Sequence, residues 1–160
     1  MIKRIELVFL IPVLALFIIG CGGSEEKAES QYEVYYLERN ENHIVSLPYE
    51  TMTPKAEKEF LIKELLMQLS TQTEKIEYKP VILDFTVKDC IIHESQITLN
   101  FSKEYEMMDF TKEVLVRAAI VKTLAQVEGI ELINFQIEGI DLEDSNGKAV
   151  GVMSADNFIN

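Results

Sequence analysis

An uncharged apolar run of 14 residues, from Leu7 to Gly20, separates a short N-terminal segment from the rest of this chain. Two basic residues, Lys3 and Arg4, precede the run. A basic start, a short apolar core and a small-residue boundary are typical of a secretory signal peptide. The run is too short to span a bilayer, because a transmembrane helix needs roughly 20 apolar residues. We therefore predict that residues 1–20 are a signal peptide outside the folded domain.

The boundary of this run resembles a bacterial lipoprotein box. It reads Phe17-Ile18-Ile19-Gly20-Cys21: an apolar residue, two tolerant positions, a small residue and then cysteine. On this resemblance Cys21 becomes the mature N-terminus and carries acyl chains such as palmitate, and two such chains suffice for stable anchoring. The alternative is an uncleaved anchor with an incidental cysteine. Residues 21–31 are mostly small or charged and predict a flexible tether.

The charge of the remaining chain excludes two classes of ligand. After Gly20 there are 13 basic and 26 acidic residues, a net charge of −13. Nucleic-acid binding depends on clustered Lys and Arg, so no nucleic acid is expected as a partner. Anionic lipid head groups would also repel this surface. We expect membrane contact through the lipidated Cys21 alone, and other contacts with envelope proteins or with copies of this chain.

Hydrophobic periodicity predicts hairpins that alternate with helices. The first hairpin covers 32–37 and 43–47, and a helix follows over 55–70, with Thr53 as N-cap and Pro54 at the first helical position. The remaining elements are predicted as strands over 82–92 and 96–102, a helix over 111–128, and strands over 133–138 and 149–152. The expected fold over 32–160 is α+β, with one mostly antiparallel sheet and both helices on one face.

The second predicted helix is apolar over most of its circumference. Asp109 or Thr111 would cap it, and Gly129 would end it. Such a helix is either enclosed in the core or partly offered to a partner. If it is partly exposed, the candidate partner surface consists of Val116, Ile120, Leu124 and Val127.

No pattern of catalytic or metal-binding residues stands out in the sequence. His43 and His93 lack the spacing of metal ligands and are expected to be exposed. Cys90 has no cysteine partner once Cys21 is acylated, and it has no evident activating base, so a structural thiol is expected. There is no Gly-rich phosphate loop or nucleophile elbow. We expect no enzymatic activity, no cofactor and no metal.

Two further segments have an alternative interpretation. The acidic stretch from Asp141 to Gly147 lacks the spacing and trailing Glu of a calcium loop, so a solvated turn is favoured. Tyr32, Tyr35 and Tyr36 are expected to line a strand, although tyrosines can also stack against a sugar.

Several segments together resemble the GerM-type (GerMN) domain of sporulation and germination lipoproteins. The family pattern has two opening strands, a helix similar to residues 58–66, and a segment similar to Ile97-Thr-Leu-Asn-Phe-Ser102. The most recognisable stretch combines Thr123-Leu124, Gln126 and Gly129 with Glu138-Gly139. The resemblance covers about residues 32–142. It departs at His93-Glu-Ser95, where members often place a glycine-bearing turn.

This resemblance implies a ring-building-motif-like α+β domain that is exported, anchored in the membrane and not catalytic. The expected function is interaction or assembly in the cell envelope, in sporulation or germination. A small-ligand or cell-wall binding lipoprotein is the alternative, and a hydrolase ranks third. A pocket with convergent Tyr and carboxylate side chains would favour ligand binding, whereas an exposed apolar helix flank would favour a protein partner.

Overall fold

The structure, a computed structural model, describes residues 31–52, 57–144 and 146–158. The predicted signal peptide, Cys21 and the tether up to residue 30 lie outside the described residues. The same holds for Thr53 and Pro54, the predicted start of the first helix.

Strands and helices follow one another largely as the periodicity indicates. Within the described residues the order is β1 (Gln31–Glu38), β2 (Ile44–Glu50), α1 (Lys58–Leu69), β3 (Tyr78–Lys79), β4 (Val87–His93), β5 (Gln96–Phe101), α2 (Phe110–Leu124), β6 (Leu132–Ile137) and β7 (Ile140–Asp141). Two 3-10 helices, at Lys103–Met107 and Ala155–Phe158, were not predicted from the sequence. The predicted α+β class with two helices is therefore confirmed.

The strands form two sheets, where one had been expected. The first has the order β2-β1-β3 and the second the order β4-β5-β6-β7. All pairs are antiparallel except β5 and β6, which are parallel. Parallel neighbours need a crossover connection, and α2 provides it between β5 and β6.

Side chains at the end of α2 and just after it explain why the first sheet does not extend along β1. The Thr123 hydroxyl accepts a hydrogen bond from the backbone N–H of Tyr35 at 3.1 Å. The Gln126 amide donates to the carbonyl of Glu33 at 2.7 Å and accepts from its N–H at 2.9 Å. These side chains occupy the backbone groups that another strand would need, so β3 pairs with β1 only at Leu37 and Glu38.

The helix boundaries differ in part from those predicted. Asp109 caps α2, and its carboxylate accepts a hydrogen bond from the N–H of Lys112 at 3.0 Å. The helix ends at Leu124, earlier than the predicted Glu128, and turns carry the chain to Gly129, whose φ is +77°. A positive φ suits glycine because it has no Cβ.

Two predicted strand segments are not regular strands. Residues 82–85 form bends and Thr86 has no regular structure, and the N–H groups of Val81 and Ile82 bond to the carbonyl of Leu69 at the end of α1. This apolar run enters the core as irregular chain. The predicted last strand, 149–152, has only an isolated bridge between Glu143 and Ala149.

One apolar core joins both helices and both sheets. Fully buried side chains come from every layer, for example Val34, Leu65, Leu99, Ile120 and Phe135. Apolar surface removed from water contributes roughly 25 cal/mol per Å², so this shared core is the main source of stability.

Candidate functional site

The predicted partner surface on α2 lies in the core. Val116, Ile120 and Leu124 are fully buried, and Val127 is buried directly after the helix. The helix is apolar around most of its circumference because it packs against β1, α1 and the C-terminal 3-10 helix. These four side chains are not exposed, and the prediction of a partner surface there is corrected. Cys21, the predicted lipidation site, lies outside the described residues.

The described residues form a cleft of about 770 Å³. It lies between the 3-10 helix Lys103–Met107, the beginning of α2, and the β6–β7 hairpin with the segment that follows it. We call it the acidic cleft. Its lining consists of Lys103, Tyr105, Glu106, Met108, Phe110, Glu113, Ile137, Glu138, Ile140, Asp141, Leu142, Glu143 and Asp144.

Two large apolar side chains of this cleft remain accessible to water. Phe110, in the first turn of α2, is 67% exposed, and Ile140, in β7, is 70% exposed. They stand on opposite structural elements of the same cleft. Apolar groups that are exposed together around a concavity are typical of a site that a partner covers.

The charge of the cleft lining is strongly negative. Among the described residues, six carboxylates and one lysine line it. Hydrogen bonds from Gln136 and Asn134 lower the pKa of Asp141, and backbone N–H groups of Lys148 and Asn146 lower the pKa of Asp144. These groups favour the charged form, so both carboxylates are ionised at neutral pH.

The floor of the cleft is aromatic. Tyr105 is only 2% exposed, stacks on Phe101 with ring centroids 4.9 Å apart and meets the edge of Phe85 at 5.0 Å. Its hydroxyl has no hydrogen-bond partner among the described residues. Burial, reinforced by the charge of Glu113, raises the pKa of Tyr105 well above its ordinary value, so the phenol stays neutral and cannot serve as a base.

Arg117 lies one helical turn after Glu113 at this end of α2. Its Nε is 3.4 Å from a Glu113 carboxylate oxygen, and the two residues form an i, i+4 ion pair. The Arg117 side chain is nevertheless buried, and its Nε has no hydrogen bond within the described residues. Glu113 is thus paired beside Tyr105, and Glu138 pairs with Lys88 at 2.7 Å, so four carboxylates of the lining have no ion pair among the described residues.

The residues considered for metal binding or catalysis do not converge. His43 and His93 are both exposed, at the turns of separate hairpins. In the described part of the chain no three His, Cys, Asp or Glu side chains are grouped so as to hold a metal ion. Burial, with Asp89 nearby, raises the pKa of Cys90 to about 11, which fits a structural thiol.

The two segments with alternative interpretations have structural roles. Asp144 accepts hydrogen bonds from the N–H groups of Asn146 at 2.8 Å and Lys148 at 3.1 Å, so its carboxylate builds a turn. Tyr36 is buried in the core, and Tyr32 and Tyr35 are half-buried on the same strand. These tyrosines line β1 as expected.

The most recognisable sequence stretch also has a structural explanation. Thr123 and Gln126 are the residues that bond to the backbone of β1. Glu138 and Gly139, with φ of +50° and +83°, form the two-residue turn between β6 and β7, and Gly139 N–H donates to the Asn100 side chain at 2.8 Å. The family motif includes these residues, but the hydrogen bonds that they form are seen only in the folded structure.

Comparison with known families identifies the chain. A family model described as Germane, sporulation and spore germination, matches residues 33–143. The chain belongs to the Germane family. The match nearly coincides with the stretch of about 32–142 that carries the resemblance to the GerMN domain, and this prediction is confirmed.

Solved structures with the same fold include other GerMN domains. The first GerMN domain of the sporulation protein GerM from Bacillus subtilis superposes with a TM-score of 0.59 at 22% identity, over 76% of this chain and 93% of that one. The tandem GerMN domains of the same protein give 0.60 at 20% identity, over 81% of this chain and 48% of that one. A candidate lipoprotein from Clostridium perfringens gives 0.51 at 18% identity, over 79% and 88%.

Curated relatives and membrane-spanning helices were both considered. No curated protein matches this sequence. Among the described residues of this Germane chain, neither helix is both long and apolar enough to cross a bilayer.

Proposed function

We propose that this chain is a lipid-anchored Germane protein on the extracytoplasmic side of the cell membrane. Cys21 would carry the lipid, and the domain would act as a non-catalytic interaction or assembly module of the envelope, in sporulation or germination. The apolar run before Cys21 supports export and anchoring. The family description supports the process, and the candidate lipoprotein of similar fold is consistent with the location.

The observation that carries this proposal is the acidic cleft with its exposed apolar walls. Phe110 and Ile140 are accessible on two separate elements, and among the described residues Tyr105 is the one tyrosine in the lining. Its neutral hydroxyl offers no base, and the described histidines lie elsewhere. Accessible apolar side chains on a helix flank favour a protein partner over a small substrate.

A small-ligand or cell-wall binding lipoprotein is the second candidate. The cleft volume of about 770 Å³ is within the range of ligand pockets, and carboxylates converge there. The described lining of the cleft contains no group of tyrosines and neutral hydrogen-bonding side chains that would orient a sugar. We therefore rank ligand binding below protein interaction.

Replacing Cys21 with alanine tests the anchor. The Cys21→Ala chain should leave the membrane fraction because it lacks the acyl chains. Cys90→Ala is the matched control and should remain in the membrane, since Cys90 is a half-buried thiol within the domain. If the Cys21→Ala protein stays in the membrane fraction, lipid anchoring at this residue is wrong.

Crosslinking in native membranes tests the interaction role. The full chain should crosslink reproducibly to defined envelope proteins, and more strongly in sporulating than in vegetative cells. A chain that gives no specific crosslink in either condition, while a purified cell-wall fragment binds to it, would favour the second candidate.

A further inference from the structure

The acidic cleft combines two features that limit what can occupy it. Phe110 and Ile140 offer apolar contact. In the described chain six carboxylates and one lysine line the cleft, and four of these carboxylates have no ion pair there. An occupant that matches both features would bring an apolar side chain and positive charge.

We propose that the acidic cleft binds a segment of another envelope protein in which a Lys or Arg is next to an apolar side chain. This inference rests on the interaction role proposed above and specifies the chemistry of the partner. The apolar side chain would pack between Phe110 and Ile140, and the cation would pair with carboxylates of the rim such as Asp141 and Glu143.

Charge argues against the other occupants. A second copy of this chain also carries a net charge near −13 after Gly20, so two copies would approach against like-charge repulsion. An acidic peptide would meet the same repulsion. Positive charge in the partner would instead be attracted to the cleft and would increase the rate of association.

Binding of short synthetic peptides to the full chain in nanodiscs of uncharged lipid tests the proposal. The probe has alternating Leu and Lys, one control peptide has Glu in place of Lys, and a second has Gly in place of Leu. Fluorescence anisotropy should detect binding of the Leu/Lys peptide alone. Its affinity should fall as salt rises from about 0.05 to 0.5 M, because salt screens partly exposed charges.

Matched variants distinguish the cleft from the acidic surface in general. Phe110→Ser and Ile140→Ser should each raise the Kd about tenfold, the expected loss for one buried apolar contact. The controls Phe60→Ser and Ile76→Ser remove apolar side chains that are 62% and 73% exposed away from the cleft, and should leave the Kd unchanged. Urea unfolding of each variant verifies that the domain remains folded.

Two double variants that each remove two carboxylates complete the test. Asp141→Asn with Glu143→Gln should weaken binding severalfold, whereas Glu74→Gln with Glu131→Gln, exposed carboxylates outside the cleft, should not. The proposal is wrong if the cleft variants and the control variants change the Kd equally, or if the Leu/Glu peptide binds as well as the Leu/Lys peptide. It is also wrong if no peptide binds, or if the chain self-associates and Phe110→Ser abolishes that association. If the native crosslinks also persist in Phe110→Ser and Ile140→Ser, only the docking site is wrong and the interaction role remains.

Discussion

Glu64 is a buried carboxylate whose hydrogen bonds fix the end of the first hairpin on α1. It is 8% exposed and accepts hydrogen bonds from the Tyr49 hydroxyl at 2.7 Å, the Thr51 hydroxyl at 2.9 Å and the N–H of Met52 at 2.8 Å. Burial and the hydrogen bond to Glu64 raise the pKa of Tyr49 to about 12. Both carboxylate oxygens of Glu64 accept hydrogen bonds from the end of the first hairpin. Glu64 therefore has a structural role in the described chain, because it holds the hairpin against α1.

Replacing Glu64 with glutamine should lower the free energy of unfolding by about 1–3 kcal/mol. The new amide has nearly the same shape, but its NH₂ group would face donors and leave a buried donor unsatisfied. Urea unfolding measures the change. Glu59→Gln, an exposed position on the same helix, is the control and should change stability by less than about 0.5 kcal/mol. Equal stabilities of the two variants would contradict this role of Glu64.

The last turn of α2 and the segment after it contact the first sheet through polar side chains as well as through apolar surface. Gln126 forms a pair of hydrogen bonds with the backbone of Glu33, the arrangement that a neighbouring strand would provide. Thr123 does the same for the N–H of Tyr35. The edge of β1 is thus satisfied here without another strand, which also removes a surface prone to edge-to-edge pairing.

Gln126→Ala should lower stability by about 1 kcal/mol, because two hydrogen bonds at a partly solvated edge are lost. The more specific effect is local. Hydrogen exchange at the Glu33 amide should accelerate, since its acceptor is gone, while the amides of β5 retain their protection. The neighbouring exposed residue gives the control, Glu128→Ala. If hydrogen exchange at the Glu33 amide is unchanged in Gln126→Ala, the hydrogen bonds between Gln126 and Glu33 do not form in solution.

At the scale of the whole molecule, an ion-pair network joins segments that are distant in sequence. Glu41, in the turn between β1 and β2, is 2.7 Å from Lys79 of β3 and 3.5 Å from Lys112 of α2. Lys112 also pairs with Asp84 at 3.0 Å. The hydrogen bond from Lys79, with the charge of Lys112, lowers the pKa of Glu41 below its ordinary value of 4.5.

This network makes stability depend on pH in a defined direction. A carboxyl group with a lowered pKa in the folded state stabilises the fold above pH 4.5, its unfolded value, and loses that contribution as pH falls through the folded pKa. Glu41→Gln should therefore reduce stability near neutral pH by about 0.5–1 kcal/mol, a typical magnitude for partly exposed pairs. Glutamine retains the length of the side chain at this position, where φ is +56°.

Urea unfolding near neutral pH and at about pH 3 measures this dependence. The difference between the wild type and Glu41→Gln should shrink toward zero at the lower pH. Glu50→Gln, an exposed carboxylate on β2, is the control and should show no such convergence. A difference for Glu41→Gln that is constant across this range would rule out the ion pairs as its cause.

Local and compositional features of this protein can be read from its amino-acid sequence. Alternation in β1, β2, β5 and β6 and helical spacing in α1 and α2 depend on neighbouring residues, so these elements were predictable. The net charge, the Asp109 cap and the membership in the Germane family also follow from residues read in order.

The assembly of these elements, and the surfaces that remain accessible, depend instead on contacts between residues distant in sequence. An apolar stripe does not specify what covers it, so Val116, Ile120 and Leu124 belong to the core although their pattern allowed a partner surface. The two sheets depend on hydrogen bonds between Gln126 and Glu33, 93 residues apart. The acidic cleft likewise gathers residues from separate segments, because long-range packing brings Phe110 and Ile140 to one concavity.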